Sequence, residues 1–150
     1  MYIEVTLNTR TMKKREPVRH IMTTDPIVIN TNDGLTKAET IFKDHRVRHL
    51  PVVSGKAIVG ILSMTDLARI SFVDSYKPEE FRVDTSVYSM FTLEQIMVRN
   101  PTCIPSDTLI KDAAEIFLNN EFHALPIVDD GQLVGILTTS DLIKYLLEQY

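Results

Sequence analysis

Sliding the chain by 75 residues lays residues 20–67 over residues 95–142 without a gap, and 16 of the 48 aligned positions are identical. Ordinary residue usage gives roughly one chance match in sixteen. The chain is therefore a duplication, and any fold must accommodate the same unit twice. The identities include Ile21, Met22, Pro26, Ala38, Phe42, Leu50, Pro51, Gly60, Ile61, Asp66 and Leu67, and several other positions swap like for like, such as Val52 with Ile127. One unit spans fewer than about 60 residues and would bury only a marginal core alone, so the two copies are expected to pack together, sheet against sheet, about a pseudo-twofold axis.

Each copy carries the same element signals in order. Residues 18–22 and 93–97 read as short helical turns, the second with a capping-box pattern at Thr92 and Gln95. Pro26 and Pro101 are expected to end those turns. Residues 27–29 and 102–104 are short extended runs. Asn32 and Asp107 suit helix N-caps, and the helix that follows carries Leu35, Ala38, Ile41 and Phe42, or Ile110, Ala113, Ala114 and Phe117, at amphipathic spacing. Residues 47–53 and 122–128 read as strands. Turn signals at Ser54-Gly55-Lys56 and Asp129-Asp130-Gly131 lead into second strands at 57–62 and 132–137. The unit is strand, helix, strand, strand, helix, with a crossover first and a hairpin second. Residues 1–16 read as an arm with a short strand at 2–7. The units occupy 17–71 and 92–150, and 72–91, containing Lys77-Pro78-Glu79-Glu80, read as an exposed linker.

The most informative stretch is the corner where the last strand breaks into the last helix. It holds Ser63, Thr65 and Asp66 in the first copy and Thr138, Ser140 and Asp141 in the second. Helix N-termini present unpaired N–H groups and partial positive charge that suit a phosphate, hydroxyls add donors, and a carboxylate suits the paired hydroxyls of a ribose. The same residues are equally good helix caps, since Ser and Thr favour the N-cap and Asp is favoured in the first turn. Local chemistry leaves both readings open.

The ordered set of motifs resembles the cystathionine β-synthase (CBS) domain, twice over, as in the tandem pair called a Bateman module. The matching residues are Ile21-Met22 with Pro26, Ala38, Leu50-Pro51-Val52-Val53, Val59-Gly60-Ile61 and Ser63-x-Thr65-Asp66. The second copy supplies Ile96-Met97 with Pro101, Ala113, Leu125-Pro126-Ile127-Val128, Val134-Gly135-Ile136 and Thr138-x-Ser140-Asp141. The resemblance implies an α+β fold of two β-α-β-β-α repeats. It implies a regulatory, non-enzymatic module that takes an adenosine-containing ligand (AMP, ADP, ATP or S-adenosylmethionine) between the repeats, signals to a partner protein and forms a homodimer. It further implies crosswise sites. One would combine Thr138, Ser140 and Asp141 with Thr23, Val28, Val47, Arg48 and His49. The other would combine Ser63, Thr65 and Asp66 with Val98, Cys103, Phe122, His123 and Ala124. Arg48 and His49 would make the first the tighter site for phosphorylated ligands. The rival reading is a ligand-free dimerisation scaffold.

Other chemistry is thinly represented. A formal net charge of -4 argues against nucleic acid as the main partner, and Lys13-Lys14-Arg15 reads as a solvated arm. No apolar run nears the ~20 residues of a membrane helix, and the N-terminus lacks signal-peptide character. With the lone Cys103 unable to form an internal disulfide, a cytoplasmic setting is expected. His45 and His49 are four apart, but on a segment leaving a helix, so no metal is expected. No glycine-rich phosphate loop occurs, and neither corner serine has an evident base.

Overall fold

The computed structural model of the chain describes residues 15–73 and 85–150; the expected strand at 2–7 lies outside them. In chain order there is a 3-10 turn at Val18–His20, then β1 (Thr23–Thr24), β2 (Ile29–Asn30), α1 (Leu35–His45), β3 (His49–Ser54), β4 (Ala57–Ser63) and α2 (Met64–Val73). After these come α3 (Thr85–Ser89), α4 (Leu93–Ile96), β5 (Val98–Arg99), α5 (Ile110–Leu118), β6 (Ala124–Asp129), β7 (Gln132–Thr138) and α6 (Thr139–Leu147).

The crossover and the hairpin are both present. β2 runs parallel to β3, and α1 connects them; β3 and β4 are antiparallel around Gly55, which takes φ 63. In the second copy Ile104 bridges Ile127 in parallel, and the β6–β7 turn places both Asp130 and Gly131 at positive φ (50 and 74), as the twist of a two-residue hairpin requires. Each hairpin slips register at the same place, Val52/Val53 and Ile127/Val128.

The sheets are not confined to one repeat each. Their orders are β2-β3-β4-β5 and β1-β7-β6. β5 belongs to the second repeat by sequence but pairs with β4 of the first (Gly60 with Arg99, Ile61 with Val98). β1 belongs to the first but pairs with β7 of the second (Thr23 with Ile136, Thr24 with Gly135). The helical turns go with them. Leu93, fully buried, sits in the first core with Ile29, Leu35, Ala38, Phe42, Leu50, Val52 and Leu62. Val18, equally buried, sits in the second with Ile104, Ile110, Ala113, Phe117, Leu125, Ile127 and Leu137. Each repeat therefore donates its leading segment to the other. Two glycines allow the close approach: a Cβ on Gly60 would collide with Met97 Sδ, and one on Gly135 would lie 2.7 Å from Met22 Sδ and 2.9 Å from the carbonyl oxygen of Thr23.

Several boundaries differ from expectation, each for a physical reason. The N-caps are Gly34 and Leu109 rather than Asn32 and Asp107. In the first copy the polar side chains are spent on a turn: Asn32 N–H donates to Asn30 Oδ1 (3.1 Å) and Asn30 N–H to Asp33 Oδ2 (2.9 Å). The helical turns stop short of Pro26 and Pro101, because β1 and β5 intervene; Asp25 and Asn100, just before the prolines, are left-handed (φ 48 and 47). β3 starts at His49, not Val47, since Arg46 closes α1 in a left-handed conformation (φ 52). β6 likewise starts at Ala124, after Phe122 has turned onto Phe117. Within the expected linker, α3 packs against α1 and Val87 and Tyr88 are buried, while Ser89, Met90 and Phe91 after them are exposed. At the other boundary, the carbonyl of Glu16 accepts from Ile110 N–H (2.8 Å) and its carboxylate accepts from the Tyr145 hydroxyl (2.9 Å), which ties residue 16 to the second repeat.

Candidate ligand cleft between the repeats

Both corners open on one cleft of about 880 Å³. From the first repeat it is lined by Thr23, Val47, Arg48, His49, Ser63 and Thr65, and from the second by His123, Thr138 and Ser140. Residues of the two expected crosswise sites thus meet in a shared space.

Strand geometry explains the convergence. β4 and β7 end at Ser63 and Thr138, and each chain turns directly into a helix there. Met64 N–H donates to the carbonyl of Arg48 (2.9 Å), and the equivalent Thr139 N–H donates to the carbonyl of His123 (3.0 Å). The residue just before β3 or β6 is thereby fixed against its own corner, with its side chain exposed in the cleft. Thr23 arrives through the exchanged β1, opposite Ile136, which also lines the cleft.

The corner carboxylates act as caps. Ser63 N–H donates to Asp66 Oδ2 (3.0 Å) and Asp66 N–H donates back to Ser63 Oγ (3.0 Å). In the second repeat Thr138 donates to Asp141 Oδ2 through both N–H (2.8 Å) and hydroxyl (3.0 Å), and Asp141 N–H donates to Thr138 Oγ1 (3.3 Å). The two readings of the corner therefore divide by atom. Ser63 and Thr138 are engaged in capping, while Thr65 and Ser140 are exposed in the cleft and take no part in the cap. Asp66 Oδ1 faces Arg69 at 3.7 Å.

The remaining expected site residues stand outside the cleft lining. Val28 alternates away from it, between Ile27, which lines it, and Ile29, which is in the core. Val98 is exposed on β5, and Ala124 is buried at the start of β6 opposite Thr138. Phe122 packs edge to face on Phe117 (6.2 Å between centroids) against the second core. Cys103 Sγ donates to the carbonyl of Pro101 (3.3 Å), and burial pushes its thiol up, away from a nucleophilic thiolate.

The sequence reading missed Asp25, Pro26, Ile27, Arg46, Met64, Ile136 and Thr139, all of which line the cleft. Arg46 carries a usable signal, since a cation two residues before Arg48 reinforces one positive wall. Burial lowers His49 below its ordinary value of 6.5, helped by the nearby His123 and Arg48 and opposed by Asp66. Among the described residues no three metal-ligating side chains converge, and no helix is long and apolar enough to cross a membrane. His45 ends α1 and His49 begins β3, on either side of the left-handed Arg46.

The sequence model of the CBS domain matches residues 18–72 and 93–148. An uncharacterized 17.7 kDa protein of Acidianus ambivalens is 30% identical over 133 residues, covering 87% of this chain and 73% of its own. Among solved structures, the CBS domain pair of protein MJ0100 in complex with 5′-methylthioadenosine and S-adenosyl-L-methionine superposes with a TM-score of 0.75 at 25% identity, covering 90% of this chain and 98% of that one. CBSX2, a CBS-pair protein of Arabidopsis thaliana, solved in complex with AMP, gives 0.72 at 25% identity over 88% of this chain and 96% of that one.

Proposed function

Because the chain belongs to the CBS domain family, with two copies of the domain in tandem, we propose that it is a regulatory module, not an enzyme, that senses an adenosine-containing ligand in the cleft between its repeats. The observation that carries this reading is the meeting of both corners in one cleft, with the Thr65 and Ser140 hydroxyls beside Arg48, His49 and His123. That set offers hydroxyl and cationic donors to phosphate, and Ile27, Val47 and Ile136 offer apolar surface to a base. The adenosine compounds bound by MJ0100 and CBSX2 support the same class of ligand here. A ligand that touches both repeats favours one relative orientation of them, to the extent of its differential affinity. A partner protein would read that orientation in a cytoplasmic setting.

Thermal unfolding with AMP, ADP, ATP and S-adenosylmethionine tests the reading. A ligand at 100 times its dissociation constant adds about 2.7 kcal/mol of stability. The absence of any shift at millimolar concentration would instead favour a ligand-free dimerisation scaffold. One observation favours that second reading: Ile143 and Leu147 on α6 are 58% and 68% exposed and could meet a second copy. A concentration-dependent sedimentation profile, abolished by Ile143→Glu, would identify it.

A further inference from the structure

We propose that Met22 is a reversible oxidation site: hydrogen peroxide converts its thioether to the sulfoxide, and the sulfoxide releases β1 from β7 and withdraws Thr23 from the cleft. The consequence for ligand binding rests on the ligand reading above; the release of β1 does not.

β1 is held by little of its own. It pairs with β7 through two residues only, Thr23 and Thr24, and both are exposed, so the strand buries no side chain. The residue before it supplies the seat. Met22 N–H donates to the carbonyl of Val18 (2.9 Å), and its side chain packs against the second core. Its sulfur takes the space that a Cβ on Gly135 would need, beside the carbonyl oxygen of Thr23. The arrangement recurs at the equivalent positions of the other repeat: Met97 N–H donates to the carbonyl of Leu93 (2.8 Å), and Met97 Sδ lies over Gly60.

Met22 is only partly buried, and local opening of so short a strand admits an oxidant as small as hydrogen peroxide. Attack of the sulfur on one peroxide oxygen forms the S–O bond and breaks the O–O bond. The departing hydroxide takes the proton left on the transferred oxygen and becomes water; the sulfur is oxidised by two electrons and the peroxide reduced. The product is polar and accepts hydrogen bonds more strongly than the thioether. Beside it over Gly135 lies the Thr23 carbonyl oxygen, another acceptor. An acceptor held there without a donor is unfavourable, and the side chain relieves this by leaving its seat. Two residues of pairing do not hold β1 once it does. Cys103 is a poor competitor for the oxidant: its thiol donates to the Pro101 carbonyl, and burial pushes it up, away from the thiolate that peroxide attacks.

Peroxide treatment of the full chain, with peptide mass spectrometry to place each sulfoxide and amide hydrogen exchange to follow the strands, tests the proposal. Oxidation of Met22 should speed exchange in residues 134–137 by about tenfold or more while residues 50–53 of the first sheet stay protected. Methionine sulfoxide reductases A and B together should restore the parent rate. Met22→Gln, an unbranched polar side chain, should show the same local rise without oxidant. Met22→Leu should show no rise on peroxide treatment; if leucine itself loosens the strand, reversal by the reductases in the parent chain decides. AMP, as a probe of the cleft, should bind the oxidised chain about threefold or more weakly, the loss of one hydrogen bond from Thr23. Complete oxidation of Met22 with unchanged exchange at 134–137 overturns the proposal. So does a rise that persists in Met22→Leu, a rise equal over the whole chain, or a Met22 that stays reduced when Met64 and Met90, 48% and 73% exposed, are fully oxidised. Local release of β1 with no AMP binding to either form leaves the proposal standing and counts against the ligand reading instead.

Discussion

The reciprocal exchange of β1 and β5 can be tested at the two glycines that permit it. Gly60→Ala and Gly135→Ala are the same change at equivalent positions, yet the structure makes them unequal. In a strand, Ala is favoured over Gly by about 0.5–1 kcal/mol because it loses less backbone freedom on folding. Overpacking opposes that gain, at about 1–3 kcal/mol. At Gly60 the new methyl meets only the flexible side chain of Met97, which can swing aside. The two effects should nearly cancel, for a net change within about 1 kcal/mol. At Gly135 the methyl also meets the carbonyl oxygen of Thr23 at 2.9 Å, and backbone cannot rotate away without breaking the Thr24–Gly135 pairing. A net loss of about 2 kcal/mol follows, or roughly 4–8 °C in melting temperature for a chain of this size. Urea and thermal unfolding measure both variants. Met22→Ala should relieve Gly135→Ala only in part, because the Thr23 carbonyl remains. Since Thr23 lines the cleft, Gly135→Ala should weaken ligand binding as well. Equal effects of the two substitutions, or full rescue by Met22→Ala, would refute the exchanged-strand argument.

Other consequences are simpler to measure. Asp141→Ala removes the acceptor for two Thr138 donors, so ligand-free stability should fall by about 1 kcal/mol in urea; Asp141→Asn should recover most of it. Tyr145→Phe breaks the hydroxyl bond to Glu16 and should lower stability by about 1–2 kcal/mol, with earlier proteolysis near residue 16 as a second readout. His49 is lowered in the fold, so on acidification the unfolded chain takes up this proton first. Its contribution is therefore complete above 6.5 and is lost as pH falls below that value. The stability difference between the parent and His49→Gln, compared at pH 8 and 5.5, should shrink or reverse at the lower pH.

The duplication and the core were legible because hydrophobic spacing is a local property that repeats. Leu35, Ala38 and Phe42, with Ile110, Ala113 and Phe117, all became core. The capping box at Thr92 and Gln95 is where its spacing put it, but the caps expected at Asn32 and Asp107 were misplaced because Asn, Asp and Ser serve turns as readily as helices, and in the first copy only tertiary geometry selected the Asn30–Asp33 turn. The exchange of Val18 and Leu93 left no local trace, since either leucine-like residue fits either core. The crosswise sites placed Thr23 and the 47–49 segment in the cleft, as β1 pairing with β7 requires. Phe122 packs on Phe117 rather than lining the cleft, a pairing that no local signal announces.

The exchange also sets what counts as an indivisible piece of this protein. A single repeat built to this plan ends with an empty seat where Val18 or Leu93 belongs and with one bare edge on β7 or β4. It can be completed only by another molecule carrying the same motif. Two half-chains severed between residues 74 and 84 should therefore be soluble only together and should refold with second-order kinetics. The peptide connection contributes proximity, while the recognition resides in the borrowed segments.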